Sequence, residues 1–228
     1  MSEVVEFLGL PGAGKTTIQV LLTSHLQQQE ISILTNQDYY QWQQSKPFLS
    51  RASAPILNPY KTIYMLGLAL KSFDRKYFTQ PDFLLRLKKF SVNSIQINRY
   101  ILNIEADYLI LSEAGIHNLW LACLLKNKPL KPNINDLLGC LAYQIPVKYV
   151  FLEVDIENAA KRIQNRISGK SRFDKMDFET IVNMFKSDAD YYIQIARALK
   201  EKKSPVLFVD GNLEPQQIVG LVSDWIQH

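Results

Sequence analysis

Eight residues near the start of the chain, Gly9-Leu10-Pro11-Gly12-Ala13-Gly14-Lys15-Thr16, carry its strongest chemical signal. They fit the pattern G-x-x-x-x-G-K-[ST], in which glycines let the backbone turn inward so that successive N–H groups face phosphate oxygens. Apolar residues precede the pattern (Val4 to Leu8), and Thr17 with Ile18, Leu21, Leu22 and Leu26 at helical spacing follow it. That is strand, loop and helix in the order the chemistry requires, with the positive end of the helix dipole turned toward an anion. Gly9, Pro11, Gly12, Ala13, Gly14, Lys15, Thr16 and Thr17 are therefore the expected nucleotide-binding segment. Lys15 is expected to reach the β and γ phosphates, and Thr16 to offer its hydroxyl to Mg2+.

Two carboxylates come next. Glu113 ends the apolar run Tyr108-Leu109-Ile110-Leu111-Ser112. At the C-terminal edge of a parallel sheet it would lie beside a phosphate site, holding Mg2+ through water or taking a proton; otherwise it caps the next turn. Asp38, in Asn36-Gln37-Asp38-Tyr39-Tyr40, follows a weaker strand. Ionised, it could accept the proton of an attacking hydroxyl, with Tyr39, Tyr40 and Trp42 as a flat wall for a ring. Alternatively it forms an Asx-type turn and the aromatics fill the core. A third feature is the basic run Lys161, Arg162, Arg166, Lys170, Arg172 and Lys175, with Asp174 its only acid. Arg162 and Arg166 are four apart, on one face of an expected helix. Ser168-Gly169-Lys170-Ser171 then reads as a mobile loop. A flexible arm bearing arginines suits phosphoryl transfer, which needs charge neutralised only on closure; a solvated surface face is the bland alternative.

These residues need a scaffold. Val4–Leu8, Tyr108–Ser112, Val147–Val154 and Pro205–Asp210 are nearly continuous in apolar residues, as parallel strands covered on both faces are. Ile31–Thr35 is a weaker fifth strand. Residues 15–28, 156–167, 177–200 and 215–227 have helical periodicity. Strand–helix alternation argues for a right-handed, doubly wound α/β sheet. About 70 residues before the strand at 108 break the alternation. Their prolines Pro47, Pro55, Pro59 and Pro81, and their periodicity near 61–73 and 83–104, predict two or more helices on the sheet's rim.

Composition narrows the classes. The chain has 228 residues, 47% hydrophobic and 21% charged, which excludes a disordered chain and suits one domain. No apolar stretch is long enough to cross a bilayer and no secretory signal is visible, so no membrane partner is expected. Cys123 and Cys140 have no metal spacing and are expected as free thiols in a reducing, cytoplasmic setting. The net charge of +4 fits an anionic ligand but does not imply nucleic acid. His25, His117 and His228 have no ligand or triad spacing.

Among nucleotide-binding classes, a GTPase would need Asn-Lys-x-Asp. The nearest string, Asn127-Lys128-Pro129-Leu130, ends in Leu and reads as a surface turn. The glycine-rich segment, the two strand-end acids, the stretch FLEVDIENAAKRIQNRISGKSRFD and the final VLFVDG together resemble the P-loop nucleoside and nucleotide kinases, most closely the thymidylate kinase and deoxynucleoside kinase branch. The resemblance runs over most of the chain in order, with the P-loop its most specific part. It implies a three-layer αβα P-loop NTPase fold, with a five-stranded parallel sheet in the order 2-3-1-4-5. It also implies a single domain over 1–228, a helical acceptor-side insertion at about 40–105 and an arginine-bearing lid at about 166–175. By the same resemblance, ATP and Mg2+ are the cofactors, Lys15, Asp38, Glu113, Arg162, Arg166 and Arg172 are catalytic, and Thr16 and Glu113 hold the metal. The three arginines would contact ATP phosphates or stack on adenine, and Asp210-Gly211-Asn212 would lie near the adenine.

The sequence departs from the branch in one place. Thymidylate kinases carry Asp-Arg-Tyr/His after strand three and deoxynucleoside kinases Glu-Arg-Ser, where this chain has Glu113-Ala114-Gly115. The Gln-Asp-Tyr-Tyr string and the order Glu113, Gly115, Ile116 look instead like uridine kinases. The implied partner is a small-molecule phosphoryl acceptor, with Arg51, Lys61, Arg75, Arg86 and Arg99 as candidate contacts should it carry a phosphate. The competing class is a non-kinase ATPase or ATP-binding switch; a third is a degenerate kinase fold kept for interaction. Trp120 and Trp225 fit an interface, such as that of a homodimer, or the core.

Overall fold

The computed structural model describes residues 2–46, 67, 96–112, 124–125, 128–129, 138, 147–166 and 172–228. Five strands form one parallel sheet in the order β2-β3-β1-β6-β7: β1 (Glu3–Leu8), β2 (Ile33–Thr35), β3 (Tyr108–Leu111), β6 (Val147–Glu153) and β7 (Val206–Asp210). Counted within the sheet alone, this is the 2-3-1-4-5 order that the resemblance implied. Two further strands, β4 (Leu124–Leu125) and β5 (Lys128–Pro129), pair antiparallel as a separate ribbon, Leu125 opposite Lys128. The string around Lys128 read from sequence as a surface turn thus contributes one side of a tight hairpin.

The helices are α1 (Lys15–Gln27), α2 (Asn36–Ser45), α3 (Ile156–Gln164), α4 (Phe178–Glu201) and α5 (Pro215–Gln227). Packing divides the chain into two compact units. One comprises Met1–Val4, Leu34–Leu109 and Glu113–Pro146; the other comprises Val5–Ile33, Ile110–Ser112 and Val147–His228.

The second unit is assembled around β1, β6 and β7. Val5, Phe7, Leu8, Val150, Leu152 and Val209 are all at most 4% exposed. Strands buried this completely have no polar face to show, which is why they read as apolar runs rather than alternations. β6 and β7 run in register from Tyr149 opposite Val206 to Glu153 opposite Asp210, with Phe151 and Phe208 in edge-to-face contact at 5.4 Å. Helix α1 packs on α5, and α3 on α4. The stripe Ala159, Ala160 and Ile163 is at most 1% exposed. Asp177 caps α4 through bonds from the Thr180 backbone N–H (2.8 Å) and hydroxyl (2.7 Å), which hold its carboxyl below the usual range.

Among the polar side chains buried in this unit, Glu6 in β1 is 0% exposed. Burial, with Glu6 nearby, keeps the Tyr149 hydroxyl protonated well above the ordinary tyrosine range.

In the first unit, helical residues 96–101 precede β3, and the Glu3 backbone N–H donates to the Asp107 carbonyl at 2.9 Å. With α2 they are the described ends of the expected insertion; its middle lies outside the described residues. Among the described residues, no helix is long and apolar enough to cross a membrane.

The helix expected over 156–167 stops at Gln164, with Asn165 as its cap at φ −76°, ψ −2°. Arg166 therefore lies beyond the helix, its N–H turned back to the Ile163 carbonyl (3.0 Å), and does not share a helical face with Arg162. Ile167, expected to complete the stripe, lies outside the described residues.

Candidate functional site

The loop between β1 and α1 is shaped by three glycines at φ +134° (Gly9), +85° (Gly12) and +91° (Gly14). L side chains rarely occupy those backbone angles. A neighbour also forbids a side chain at two of them. A Cβ on Gly9 would stand 2.6 Å from the Leu152 carbonyl oxygen, and one on Gly12 would run into the Ala159 carbonyl. The loop is thus held directly against the end of β6 and the start of α3. Ala13 is 2% exposed, and its N–H donates to the Leu10 carbonyl at 3.1 Å.

Gly14 is the N-cap of α1, with no side-chain cap bond and no acidic residue in the first turn. The N–H groups of a helix's first turn, here that of residues 15–17, point out of the helix start. The positive end of the helix dipole coincides with them. Thr16 and Thr17 are exposed. Residues 9–17 thus have the backbone geometry that suits an anion.

Lys15 lies inside that loop rather than reaching away from it. It is 7% exposed, and Nζ donates to the carbonyl oxygens of Gly9 (2.8 Å) and Leu10 (3.0 Å). An ammonium held on two carbonyl dipoles is already mostly desolvated, so it can turn to a phosphate oxygen at little further cost.

One turn later, Gln19 is 5% exposed and donates from Nε2 to the Ile110 carbonyl at 2.6 Å, tying the cradle helix to β3. Sequence reading missed it. The signal was there: a lone amide in an apolar stripe, next to Ile18 and three before Leu22.

Arg162, expected as a lid residue, is anchored beside the loop. Its Nη1 donates to the Gly211 carbonyl at 3.0 Å and lies 4.0 Å from the position a Cβ on Gly14 would take. The β7–α5 loop it grips is itself fixed: Asp210 Oδ1 accepts from the Asn212 backbone N–H (2.8 Å) and Nδ2 (3.0 Å), and Asn158 Nδ2 donates to Asn212 Oδ1 at 3.1 Å. Phosphate loop, α3 and the Asp210-Gly211-Asn212 turn are therefore joined through one arginine. Arg166 is exposed. The backbone of Arg172 opens a single 3-10 turn, Arg172–Lys175.

In the other unit, Asp38 is the third residue of α2 and closes a capping box. Its Oδ2 accepts from the Thr35 backbone N–H (2.8 Å) and hydroxyl (2.9 Å), while the Gln37 N–H donates to Thr35 Oγ1 at 3.2 Å. The expected Asx-type turn is replaced by this box because the helix starts directly at the strand end. Behind it, Tyr39 lies 5.4 Å from Tyr100 and 6.2 Å from Trp42, ring centre to ring centre. Gln43 Nε2 donates to Tyr39 Oη at 3.3 Å and to Gln96 Oε1. Tyr40 remains 46% exposed, and Lys46 stands 5.3 Å over the Trp42 ring. Burial, then the Asp38 charge, raises the Tyr100 hydroxyl to about 12. Tyr39 thus lies in the core, Trp42 is half-buried and Tyr40 is exposed, and the glutamine pair was not anticipated.

Glu113, Arg51, Lys61, Arg75, Arg86, Trp120, the loop at 168–171 and both cysteines lie outside the described residues; Arg99 and Trp225 are half-buried.

No family model and no curated protein matches the chain. Solved structures do. Deoxyadenosine kinase from M. mycoides with the products dCMP and a flexible dCDP bound matches at 16% identity over 98% of both chains, TM-score 0.53. The same enzyme with dATP bound matches at 17% over 99% of this chain and 100% of that one, TM-score 0.53. Sheet order, cradle geometry and these likenesses agree: the chain has the αβα fold of the P-loop nucleoside and nucleotide kinases.

Proposed function

We propose that this protein is an ATP- and Mg2+-dependent small-molecule kinase, moving the γ-phosphoryl group to a nucleoside, a nucleoside monophosphate or a similar hydroxyl or phosphate acceptor. The observation that carries the reading is the cradle: three left-handed glycines, a helix N-terminus without a side-chain cap and a buried lysine converge on residues 9–17. The donor set suits a triphosphate, being backbone N–H groups and one ammonium with no carboxylate in the loop. Mg2+ would be held by the exposed Thr16 hydroxyl with Glu113, and when bound would supply charge neutralisation to the phosphates.

In this reading the chain is one kinase domain, with the acceptor side in the insertion at about 40–105 and a lid at about 166–175. Lys15 exchanges its two carbonyl bonds for phosphate oxygens. Arg162, Arg166 and Arg172 neutralise the transferring group, and Asp38 or Glu113 orients or deprotonates the acceptor hydroxyl. An aromatic wall of Tyr39, Tyr40 and Trp42 favours a flat-ringed acceptor, as does the likeness to an enzyme whose structures hold dCMP and dATP.

The test is ATP consumption across nucleosides, nucleoside monophosphates, sugars and aminated antibiotics, with wild type and Lys15→Ala. The expected result is one acceptor class turned over by the wild type, with at least a ~100-fold loss in the variant. ATP hydrolysis without any phosphorylated acceptor would instead identify an ATPase or switch. Unchanged ATP binding and turnover in Lys15→Ala would end the reading.

A further inference from the structure

Two side chains on one face of α1 hold main-chain carbonyls. Lys15 and Gln19 are four apart, so they lie one above the other on the helix. Both are buried. Lys15 Nζ donates to the carbonyls of Gly9 and Leu10, just past β1, and Gln19 Nε2 donates to the Ile110 carbonyl in β3 at 2.6 Å. β1 and β3 are neighbours in the sheet. One helix face is thereby tied to the C-terminal ends of two adjacent strands, the first of which leads into the phosphate loop.

An amide is costly at position 19 unless it is bonded. Ile18 and Leu22, on the same buried side, are at most 2% exposed, and a leucine at 19 would continue that stripe with no polar group to satisfy. The bond joins residues 91 positions apart, and a buried carbonyl deprived of its donor costs more than the bond itself contributes. It therefore fixes where the end of β3 stands against α1. That end is packed to its last residues: Ile110 and Leu111 are 0% exposed and Ser112 is 4% exposed. Gln19 and Ile110–Ser112 belong to the same compact unit. The residue after Ser112 is Glu113.

We infer that Gln19 is a positioning residue for the metal side of the nucleotide site: through the Ile110 carbonyl it fixes the β3 end, from which the chain runs directly into Glu113, against the helix that carries Thr16. The inference rests on the kinase reading, in which Thr16 and Glu113 hold Mg2+. Gln19 itself touches neither nucleotide nor metal in it. The grip of residues 9–17 on phosphate is a backbone property and does not need this bond; the affinity that Mg2+ adds does. Replacing a residue that orients metal-holding groups changes metal affinity by about 10- to 100-fold.

The experiment measures ATP affinity of the full chain by calorimetry, in excess Mg2+ and in EDTA, for wild type, Gln19→Met and Lys15→Ala. Methionine keeps the length of the side chain but has no donor. Gln19→Met is expected to bind ATP about tenfold more weakly than wild type in Mg2+, and within about twofold of it in EDTA. Gln19→Leu gives the same two comparisons should Gln19→Met fail to fold. A measurement on wild type needs no variant: the Gln19 side-chain amide resonance should shift when Mg2+ is added to the ATP-loaded chain. Wild-type affinity of the variant in Mg2+ overturns the inference, as does an equal loss in Mg2+ and EDTA, which would make Gln19 a general prop of the cradle, or an amide resonance indifferent to Mg2+. Failure of the kinase reading looks different: Lys15→Ala would bind ATP as wild type does, or wild type would gain nothing from Mg2+, and the inference would fall with it.

Discussion

The phosphate cradle and the aromatic cluster on α2 hold their candidate residues in opposite ways. In the cradle the backbone does the work. Gly9 and Gly12 meet carbonyl groups where a Cβ would stand, and the donors are main-chain N–H groups at a helix start. On α2 the side chains do the work: Tyr39, Trp42 and Tyr100 pack on one another, and Gln43 joins Tyr39 to Gln96. A backbone site tolerates almost one residue type at each turn. A side-chain site can be built from many combinations, and each can suit a different ligand. In the proposed reading, a generic grip on a triphosphate can be kept while the acceptor surface diverges.

If that contrast is right, the cradle should fail at a single methyl group. Gly12→Ala places a Cβ on the Ala159 carbonyl at a backbone angle of φ +85°. The expected cost is about 3 kcal/mol or more, with loss of saturable ATP binding, measured by thermal unfolding and by calorimetry. Near-normal ATP affinity in that variant would show that the loop yields, and the contrast would collapse.

Asp38 sharpens the other side. Asp38→Ala removes the capping-box acceptor and should lower stability by about 1 kcal/mol. Asp38→Asn retains a carbonyl oxygen to accept from Thr35, so its stability should change less. A large loss of turnover in Asp38→Asn despite near-normal unfolding would make the carboxylate catalytic. Unaltered turnover would leave it a cap.

The cluster also has an alkaline signature. Tyr100 is raised from 10.0 to about 12, by burial first and by Asp38 second. The folded state therefore keeps this hydroxyl neutral where the unfolded chain ionises it. The stability it contributes is fully present below about pH 10 and is lost as pH rises toward about 12. A tyrosinate absorbance titration should show a late-ionising component, and Asp38→Asn should move it to lower pH. A single transition at the ordinary tyrosine value would mean the cluster is wet.

The smallest effect serves as a control. Glu30 (φ 62°) and Lys203 (φ 61°) adopt left-handed turns outside both regions. Glycine at either should be neutral or stabilise by up to about 1 kcal/mol, without changing ATP binding.

The legibility of the sequence follows the same division. Val4–Leu8, Tyr108–Ser112 and Val147–Val154 were readable as strands because burial on both faces leaves an unbroken apolar run. The glycine spacing at 9, 12 and 14 was readable because backbone angles constrain it. The end of α3 was not, since Asn165 and Arg166 carry no glycine or proline to stop a helix. Nor was the anchoring of Arg162 to Gly211, a contact across 49 positions that no local spacing announces. The Gln43–Gln96 bond was hidden likewise: a lone glutamine looks like surface until its partner is known.

The packing of α1 on α5, with Gln227 Nε2 donating to Gln29 Oε1 at 2.8 Å, has a consequence for biosynthesis. The cradle helix is made early, yet the helix it packs on, residues 215–227, is made long after it. Throughout translation of the intervening chain, α1 must wait for that packing or be held by a chaperone. If the proposed reading holds, nascent chains arrested before residue 215 should grip nucleotide poorly, and emergence of the α5 segment from the ribosome should be the moment at which they acquire it.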